Sequence, residues 1–259
     1  MTDILYHFLH HLGWGMLLSL MLIPPRLIAR SFYLVNLAAI LALWATALAL
    51  RADGSWAALD PWTLTASLLL LLCAFVPPEK FERVLLALFA VAAAISAVSI
   101  WADSRLLAGD EIYNSTVFLL FSFALSGLLA GATMVAMILG HYYLVTPELS
   151  FGLLERFTWF IGILMGLRVL IMIVPLSQGD VFARPEGAHA AIFFVDHLAF
   201  LMQRLLSLVF LALLVPMVAD CVKRRANQSA TGLLYVASFL ALMGEGVAIY
   251  FTVSYGLPL

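Results

Sequence analysis

The sequence predicts an all-α, polytopic membrane protein, a bundle of about eight transmembrane helices with both termini on the outer side. The chain has 259 residues, of which 64% are hydrophobic and only 11% are charged. Soluble domains contain about 45–50% apolar and about 25% charged residues. Several apolar runs reach the ~20 residues that a spanning helix needs, and the basic residues are concentrated in alternate loops. These three observations exclude an ordinary soluble protein.

Eight apolar runs separated by Pro, Gly and charged residues predict the helices. Asp60 followed by Pro61 is typical of a helix start, because the carboxylate caps the first turn and proline fits the first helical position. Ser115 is a second predicted cap. The predicted helices are Ile4–Ile23, Ser31–Leu50, Pro61–Val76, Arg83–Trp101, Ser115–Val145, Leu153–Leu176, Ala190–Ala219 and Thr231–Ser254.

The predicted helices leave little chain outside the membrane, so residues 1–259 are expected to form a single transmembrane domain. Two prolines followed by an arginine six residues after the first occur at 24–30 and again at 77–83. This similarity suggests hairpin repeat units at 1–50, 60–101, 115–176 and 190–255. The alternative is that short turns select Pro and Arg independently.

Small residues predict where helices approach each other closely. Gly127 and Gly131 on helix five, and Gly162 and Gly166 on helix six, both have the GxxxG spacing. Helix five also carries serines along its length, and we expect it to be central in the bundle. The pattern predicts packing and carries no information on chemistry.

The distribution of basic residues predicts the orientation. The loops after helices one, three, five and seven hold eight Lys and Arg residues, whereas the opposite side holds three. Cytoplasmic loops are enriched in Lys and Arg, so both termini should face outward from the inner (plasma) membrane, towards a periplasm. The net charge of −2 gives no indication of a nucleic-acid partner. The expected partners are the lipid bilayer and other membrane or periplasmic subunits.

Four charged residues fall inside predicted spans: Arg168, Arg204, Asp196 and Glu245. Each would cost about 2.5–3.5 kcal/mol at mid-bilayer if it were unpaired. Three of them lie at similar depth in the outer half, with Arg204 nearer mid-bilayer, and two positive and two negative charges on helices six, seven and eight therefore predict mutual pairing. Titratable groups gathered in this way are typical of functional sites, and Asp196, His197, Glu245 and Arg168 are the candidate catalytic residues. The alternative is an ion-pair network that only fixes helix packing.

Histidines form a second group of candidates. His7 and His11 are four residues apart and share one face of helix one, while His10 points elsewhere. A b-type haem needs one histidine from each of two facing helices, so we predict that His7 or His11 pairs with His197, with Arg168 or Arg204 near a propionate. The candidate metal ligands are His11 and His197. A copper or zinc site built from the three helix-one histidines is weaker, because no carboxylate or thiolate accompanies them in sequence. Alternatively, the trio only lines the wet interface.

These residues predict an integral membrane subunit of an electron-transfer, respiratory-type complex. It would bind quinol or quinone, or one haem b, near the outer leaflet. An accessory or scaffolding subunit without a cofactor is the first alternative, and a small-solute or proton-coupled transporter is the second. The resemblance to quinol-handling subunits is one of span number only, which is an analogy at the level of fold.

Overall fold

The computed structural model describes residues 2–51, 60–76, 81–146, 149, 152–179 and 190–259, and the side chains of residues 74, 81, 82 and 190–196 lie outside this description. All eight predicted helices occur within these ranges. A 3₁₀ turn at Leu72–Phe75 follows α3, and another at Ile112–Asn114 precedes α5. The helices are α1 Thr2–Met21, α2 Arg30–Arg51, α3 Pro61–Leu71, α4 Phe81–Leu107, α5 Thr116–Val145, α6 Gly152–Gln178, α7 Ala190–Lys223 and α8 Asn227–Tyr255.

Six of these helices, α2 and α4 to α8, are long and apolar enough to cross a membrane. The predicted all-helical architecture is therefore confirmed, and the six long apolar helices are consistent with a polytopic membrane protein. Helices α1 and α3 do not meet the same criterion. Helix α1 contains Asp3 and three histidines within 20 residues. Helix α3 has only 11 residues, or about 16 Å at 1.5 Å per residue, against a hydrocarbon core of about 30 Å.

The two predicted N-caps are confirmed. The Asp60 carboxylate accepts hydrogen bonds from the backbone N–H groups of Trp62, at 3.1 Å, and Thr63, at 3.2 Å, and Pro61 takes the first helical position of α3. The Ser115 hydroxyl accepts a bond from the backbone N–H of Phe118 at 3.4 Å. Local sequence thus sets where α3 and α5 begin.

Helix α5 is central, as predicted, and packs against α1, α4, α6 and α8. It crosses α1 at three glycines. A Cβ atom added at Gly15 would stand 1.7 Å from the carbonyl oxygen of Gly127, and one added at Gly131 would stand 2.2 Å from the carbonyl carbon of Gly15. Only glycine allows two helix backbones to approach this closely.

The second GxxxG pair behaves differently. A Cβ atom at Gly162 would meet Val215 of α7 at 3.2 Å, but one at Gly166 would have no neighbouring atom within 4 Å among the described residues. The predicted close contact is therefore wrong at Gly166, which is exposed on the outside of the bundle. A spacing pattern alone does not tell which face of a helix meets a neighbour.

Candidate functional site

Among the described residues, two groups of buried charged and polar side chains are candidate sites, and the first joins α1 to α4. His7 and His11 share one face of α1, with ring centroids 5.8 Å apart, and Asp103 near the end of α4 meets them. The Nδ1 atom of His7 lies 3.2 Å from Oδ2 of Asp103. One ligand atom from each residue can be chosen so that all three lie within 4.8 Å of one another. We call His7, His11 and Asp103 the histidine cluster.

All three side chains of the histidine cluster are buried, and their polar atoms are poorly satisfied. Neither ring nitrogen of His11 has a hydrogen-bond partner among the described residues. Nδ1 of His7 and Oδ2 of Asp103 are close, but they are not aligned as a hydrogen bond. Buried polar groups are nearly always paired, and each exception calls for an explanation such as an ion or a water molecule. The cluster therefore has the character of a ligand site.

Arg51, at the end of α2, supports the cluster from the side. Its Nη1 atom lies 3.5 Å from the other carboxylate oxygen of Asp103, Oδ1, and its guanidinium group stands 4.5 Å from the ring centroid of Tyr6. About a third of the Arg51 side chain is exposed, whereas Asp103 is almost fully buried. Arg51 therefore lies between the cluster and the surface of the protein.

The N-cap of α3 adds a second buried carboxylate to this end of the bundle. Oδ2 of Asp60 accepts hydrogen bonds from the Tyr6 hydroxyl at 3.1 Å, from the Ser99 hydroxyl at 2.7 Å and from the Thr63 hydroxyl. Burial favours the protonated acid, yet the hydrogen bonds from Thr63 and Ser99 outweigh it and lower the pKa of Asp60. The side chain thus stays an anion and ties α1, α3 and α4 together.

His10 belongs to a separate contact. Its Nε2 atom and the Ser96 hydroxyl of α4 are 2.8 Å apart, and the indole N–H of Trp44 donates to its backbone carbonyl at 3.1 Å. The His10 ring nevertheless lies close to the cluster, with its centroid 5.6 Å from that of His11, so the expectation that it points away from both histidines does not hold for His11. The expectation that the trio only lines the wet interface is wrong, because all three histidines are buried.

Asp103 is the residue that sequence analysis missed. The predicted end of helix four at Trp101 leaves Asp103 in a loop, and no carboxylate was assigned to the histidines; the structure corrects both points. A signal was present in the sequence. Ser96, Ser99 and Asp103 are spaced three and four residues apart, which puts polar groups on one face of an apolar helix.

The second buried group joins α6, α7 and α8. Glu245 accepts a bond from Nε of Arg168 at 2.9 Å and another from Nη1 of Arg204 at 2.8 Å. Nη1 of Arg168 also donates to the Ser122 hydroxyl of α5 at 2.7 Å. Each of the three charged side chains is only 1% exposed. The predicted mutual pairing of these charges is confirmed, and Gly244 makes room for it, since a Cβ there would stand 3.1 Å from Nη1 of Arg204.

This Arg–Glu–Arg group has one more positive charge than negative. Nε and Nη2 of Arg204 are buried without a hydrogen-bond partner among the described residues. Asp196, the fourth predicted member, lies on α7, but its side chain falls outside the described residues. The remaining three candidates form a compact ion-pair network that links three helices directly and a fourth through Ser122.

His197 lies away from the contacts of the helix-one histidines. Its ring packs edge-on against Phe251 and Tyr255 of α8, with centroids 4.7 Å and 5.2 Å apart. The rings of His7 and His11 instead pack against Phe123 of α5. Within the part of the chain that the structure describes, no ring contact joins His197 to His7 or His11. The structure brings His11 to Asp103, and the pairing with His197 stays a prediction.

No protein-family model matches the chain, and no curated protein or solved structure is significantly similar to it. The assignment of function therefore depends on the geometry of these two buried groups.

Proposed function

We propose that the protein is an integral membrane subunit of an electron-transfer complex, with its cofactor bound at the histidine cluster. One observation carries the proposal: His11 is fully buried, yet both of its ring nitrogens lack a partner among the described residues. A buried polar group without a partner costs about 1–3 kcal/mol, and a bound cofactor would remove that cost. Buried imidazoles are among the commonest ligands of redox-active centres.

The position of the cluster supports access from one side of the membrane. His7 lies five residues from the start of α1 and Asp103 four residues from the end of α4, so both are roughly 6–8 Å from a helix terminus. Arg51, which contacts Asp103, is about one third exposed at this end of the bundle. A donor or acceptor docked on this end of the bundle would be within reach of a cofactor at the cluster.

The donor set bears on the choice of cofactor. His7 and His11 come from one helix and approach a shared point from the same side. Axial ligation of a b-type haem requires histidines on opposite faces of the macrocycle, and the described contacts of His197 are with α8. A quinone headgroup needs a hydrogen-bond donor, which the His11 ring offers. The cluster therefore favours a quinone or a metal ion over haem.

Purification of the intact complex from its native membrane tests the proposal. The preparation should contain partner subunits and show a cofactor that is reduced by quinol or dithionite and reoxidised. His11→Gln should lower turnover by more than about tenfold, the scale of a lost supporting ligand, while the complex still assembles. His10→Gln is the matched control, because His10 is buried beside the cluster but bonds to Ser96. Equal turnover in wild type and His11→Gln, or no reducible cofactor, would contradict the proposal.

A scaffolding role is the second candidate, and the ion-pair network favours it. Arg168, Arg204 and Glu245 pair with one another in the protein interior, which removes the need for a catalytic explanation of these charges. If the protein is only a scaffold, Arg168→Gln should reduce the amount of assembled complex, with normal turnover per complex that remains. Normal assembly with lost turnover would contradict the scaffold role and would assign Arg168 to the mechanism.

The proposal includes the orientation and the membrane. Eight Lys and Arg residues on one side against three on the other support an inner-membrane location with both termini outward. Under that orientation the end of the bundle with the histidine cluster faces the periplasm. The transporter alternative has less support, because Arg204 and Glu245 are almost completely buried.

A further inference from the structure

We infer that His7, His11 and Asp103 bind a divalent first-row transition-metal ion. The inference rests on the proposed function only in that both use this cluster: a redox-active ion such as iron would be the electron-transfer cofactor, whereas zinc, which has no redox chemistry, would not. Two imidazoles and one carboxylate, without sulfur, suit zinc, iron, cobalt, nickel and manganese better than copper(I). Asp103 of α4 supplies the carboxylate ligand that the three helix-one histidines lack by themselves.

The geometry needs little adjustment to hold an ion. Metal–ligand bonds of about 2.0–2.2 Å in a tetrahedral site place ligand atoms roughly 3.3 Å apart. The facing atoms of His7 and Asp103 are already 3.2 Å apart, and the three chosen ligand atoms lie within 4.8 Å of each other. Small rotations of side chains therefore suffice, and the backbones of α1 and α4 can stay in place.

The unsatisfied atoms and the local charge point in the same direction. Neither His7 Nδ1, nor either nitrogen of His11, nor Asp103 Oδ2 has a hydrogen-bond partner among the described residues. Asp60 and Asp103 contribute two negative charges and Arg51 one positive charge, so the group carries a net negative charge when the imidazoles are neutral. Neutral imidazole and ionised carboxylate are the forms that bind metal.

Surrounding residues are placed to orient the ligands. Arg51 contacts Oδ1 of Asp103 at 3.5 Å and leaves Oδ2 facing His7, as outer-shell partners of metal ligands commonly do. Phe123 packs on the rings of both histidines. Three protein ligands leave at least one coordination position open, which is typical of reactive sites and atypical of structural zinc sites.

Metal analysis of the full-length protein, purified in detergent without a metal-affinity tag, tests the inference. Treatment with a chelator followed by titration with Co²⁺ should give about one bound equivalent, with visible absorption bands, and Zn²⁺ should displace it. Bound metal should also raise the melting temperature, because an ion that binds only the folded state stabilises it. Both effects should be lost in His11→Gln and in Asp103→Asn.

Controls separate a metal site from general damage. His10→Gln should keep full Co²⁺ binding, because the Nε2 atom of His10 is already paired with the Ser96 hydroxyl. Should His11→Gln fail to fold, His7→Gln and Asp103→Asn provide independent removal of a ligand. Binding that is unchanged in His11→Gln or Asp103→Asn, or no binding to folded wild type, would overturn the inference.

The outcomes also distinguish this inference from the proposed function. One equivalent of bound metal in a protein without redox turnover would support the metal site and contradict the electron-transfer role. A reducible quinone or haem in an active complex that binds no metal would contradict the metal site and support the electron-transfer role.

Discussion

Gly127 of α5 lies directly against the backbone of His11 on α1. A Cβ atom at Gly127 would stand 2.5 Å from the His11 carbonyl oxygen and 3.3 Å from the His11 Cβ. The helix crossing that allows this approach continues through Gly15 and Gly131. The same small residues that pack α1 on α5 thus fix the position of the most deeply buried member of the histidine cluster.

Gly127→Ala should therefore disturb both the packing of α1 on α5 and the histidine cluster. The added methyl group would meet backbone atoms that cannot rotate away, and overpacking of this kind typically costs about 1–3 kcal/mol. We expect a lower melting temperature in detergent and weaker Co²⁺ binding. Gly166→Ala is the matched control, because nothing lies within 4 Å of its Cβ position, and alanine has the better helix propensity. Similar losses in the two variants would show that the α1–α5 crossing is not responsible.

The ion-pair network predicts which substitution lowers the free energy of unfolding more. Glu245→Gln leaves two buried arginines without a counter-charge, and breaking a buried pair in this way costs about 3–5 kcal/mol. Arg204→Met should cost less, because Glu245 keeps its 2.9 Å bond to Arg168 and the network becomes neutral. Equilibrium unfolding in mixed micelles measures the free energy of unfolding of both variants.

The control for the network is a pair of similar length on the surface. Asp220 and Arg224 are 2.8 Å apart and largely exposed, so Asp220→Asn should change the free energy of unfolding by less than about 1 kcal/mol. An Arg204→Met variant less stable than Glu245→Gln would contradict the charge argument.

The sequence alone predicted the features that depend on local chemistry or on the cost of charge in a membrane. The Asp60 cap follows from an aspartate before a proline, and it is present. The sequence also predicted ion pairs among Arg168, Arg204 and Glu245, because an unpaired charge in hydrocarbon is costly. The structure contains these ion pairs. Neither inference needed knowledge of how the helices are arranged.

Asp103 could not be placed because its role depends on a helix boundary. Helix four was predicted to end at Trp101, which assigned Asp103 to a loop, but α4 continues to Leu107. Because α4 continues past Trp101, Asp103 lies on the same helix face as Ser96 and Ser99. This face contacts α1. Arg51 was assigned to a loop for the same reason. When a predicted helix ends a few residues too early, the polar residues of its last turn are assigned to a loop, and their contacts with other helices are missed.

The Asp60 cap predicts a dependence of stability on pH. Since its pKa in the folded protein lies below the ordinary value of 3.8, the ionised carboxylate stabilises the fold above that value and loses this effect as the pH falls through the lower, folded-state pKa. Wild type should lose stability on acidification below pH 3.8, and Asp60→Asn should lose less over that range. At neutral pH, Asp60→Ala should cost about 0.5–2 kcal/mol as a lost N-cap. Thermal melts from pH 7 to pH 3 measure both effects, and parallel curves for wild type and Asp60→Asn would contradict the assignment.

The proposed orientation predicts which ends of the helices react with a membrane-impermeant maleimide in intact cells. In a Cys73→Ala, Cys221→Ser background, Glu111→Cys should be labelled from outside, because Glu111 is exposed just before the outer end of α5. Gln228→Cys, exposed after the basic turn at Lys223–Arg225, should be labelled only after lysis. The two positions lie near opposite ends of the bundle, so each is the control for the other. The reverse pattern would place the histidine cluster on the cytoplasmic side and would move its electron-transfer partner to that side.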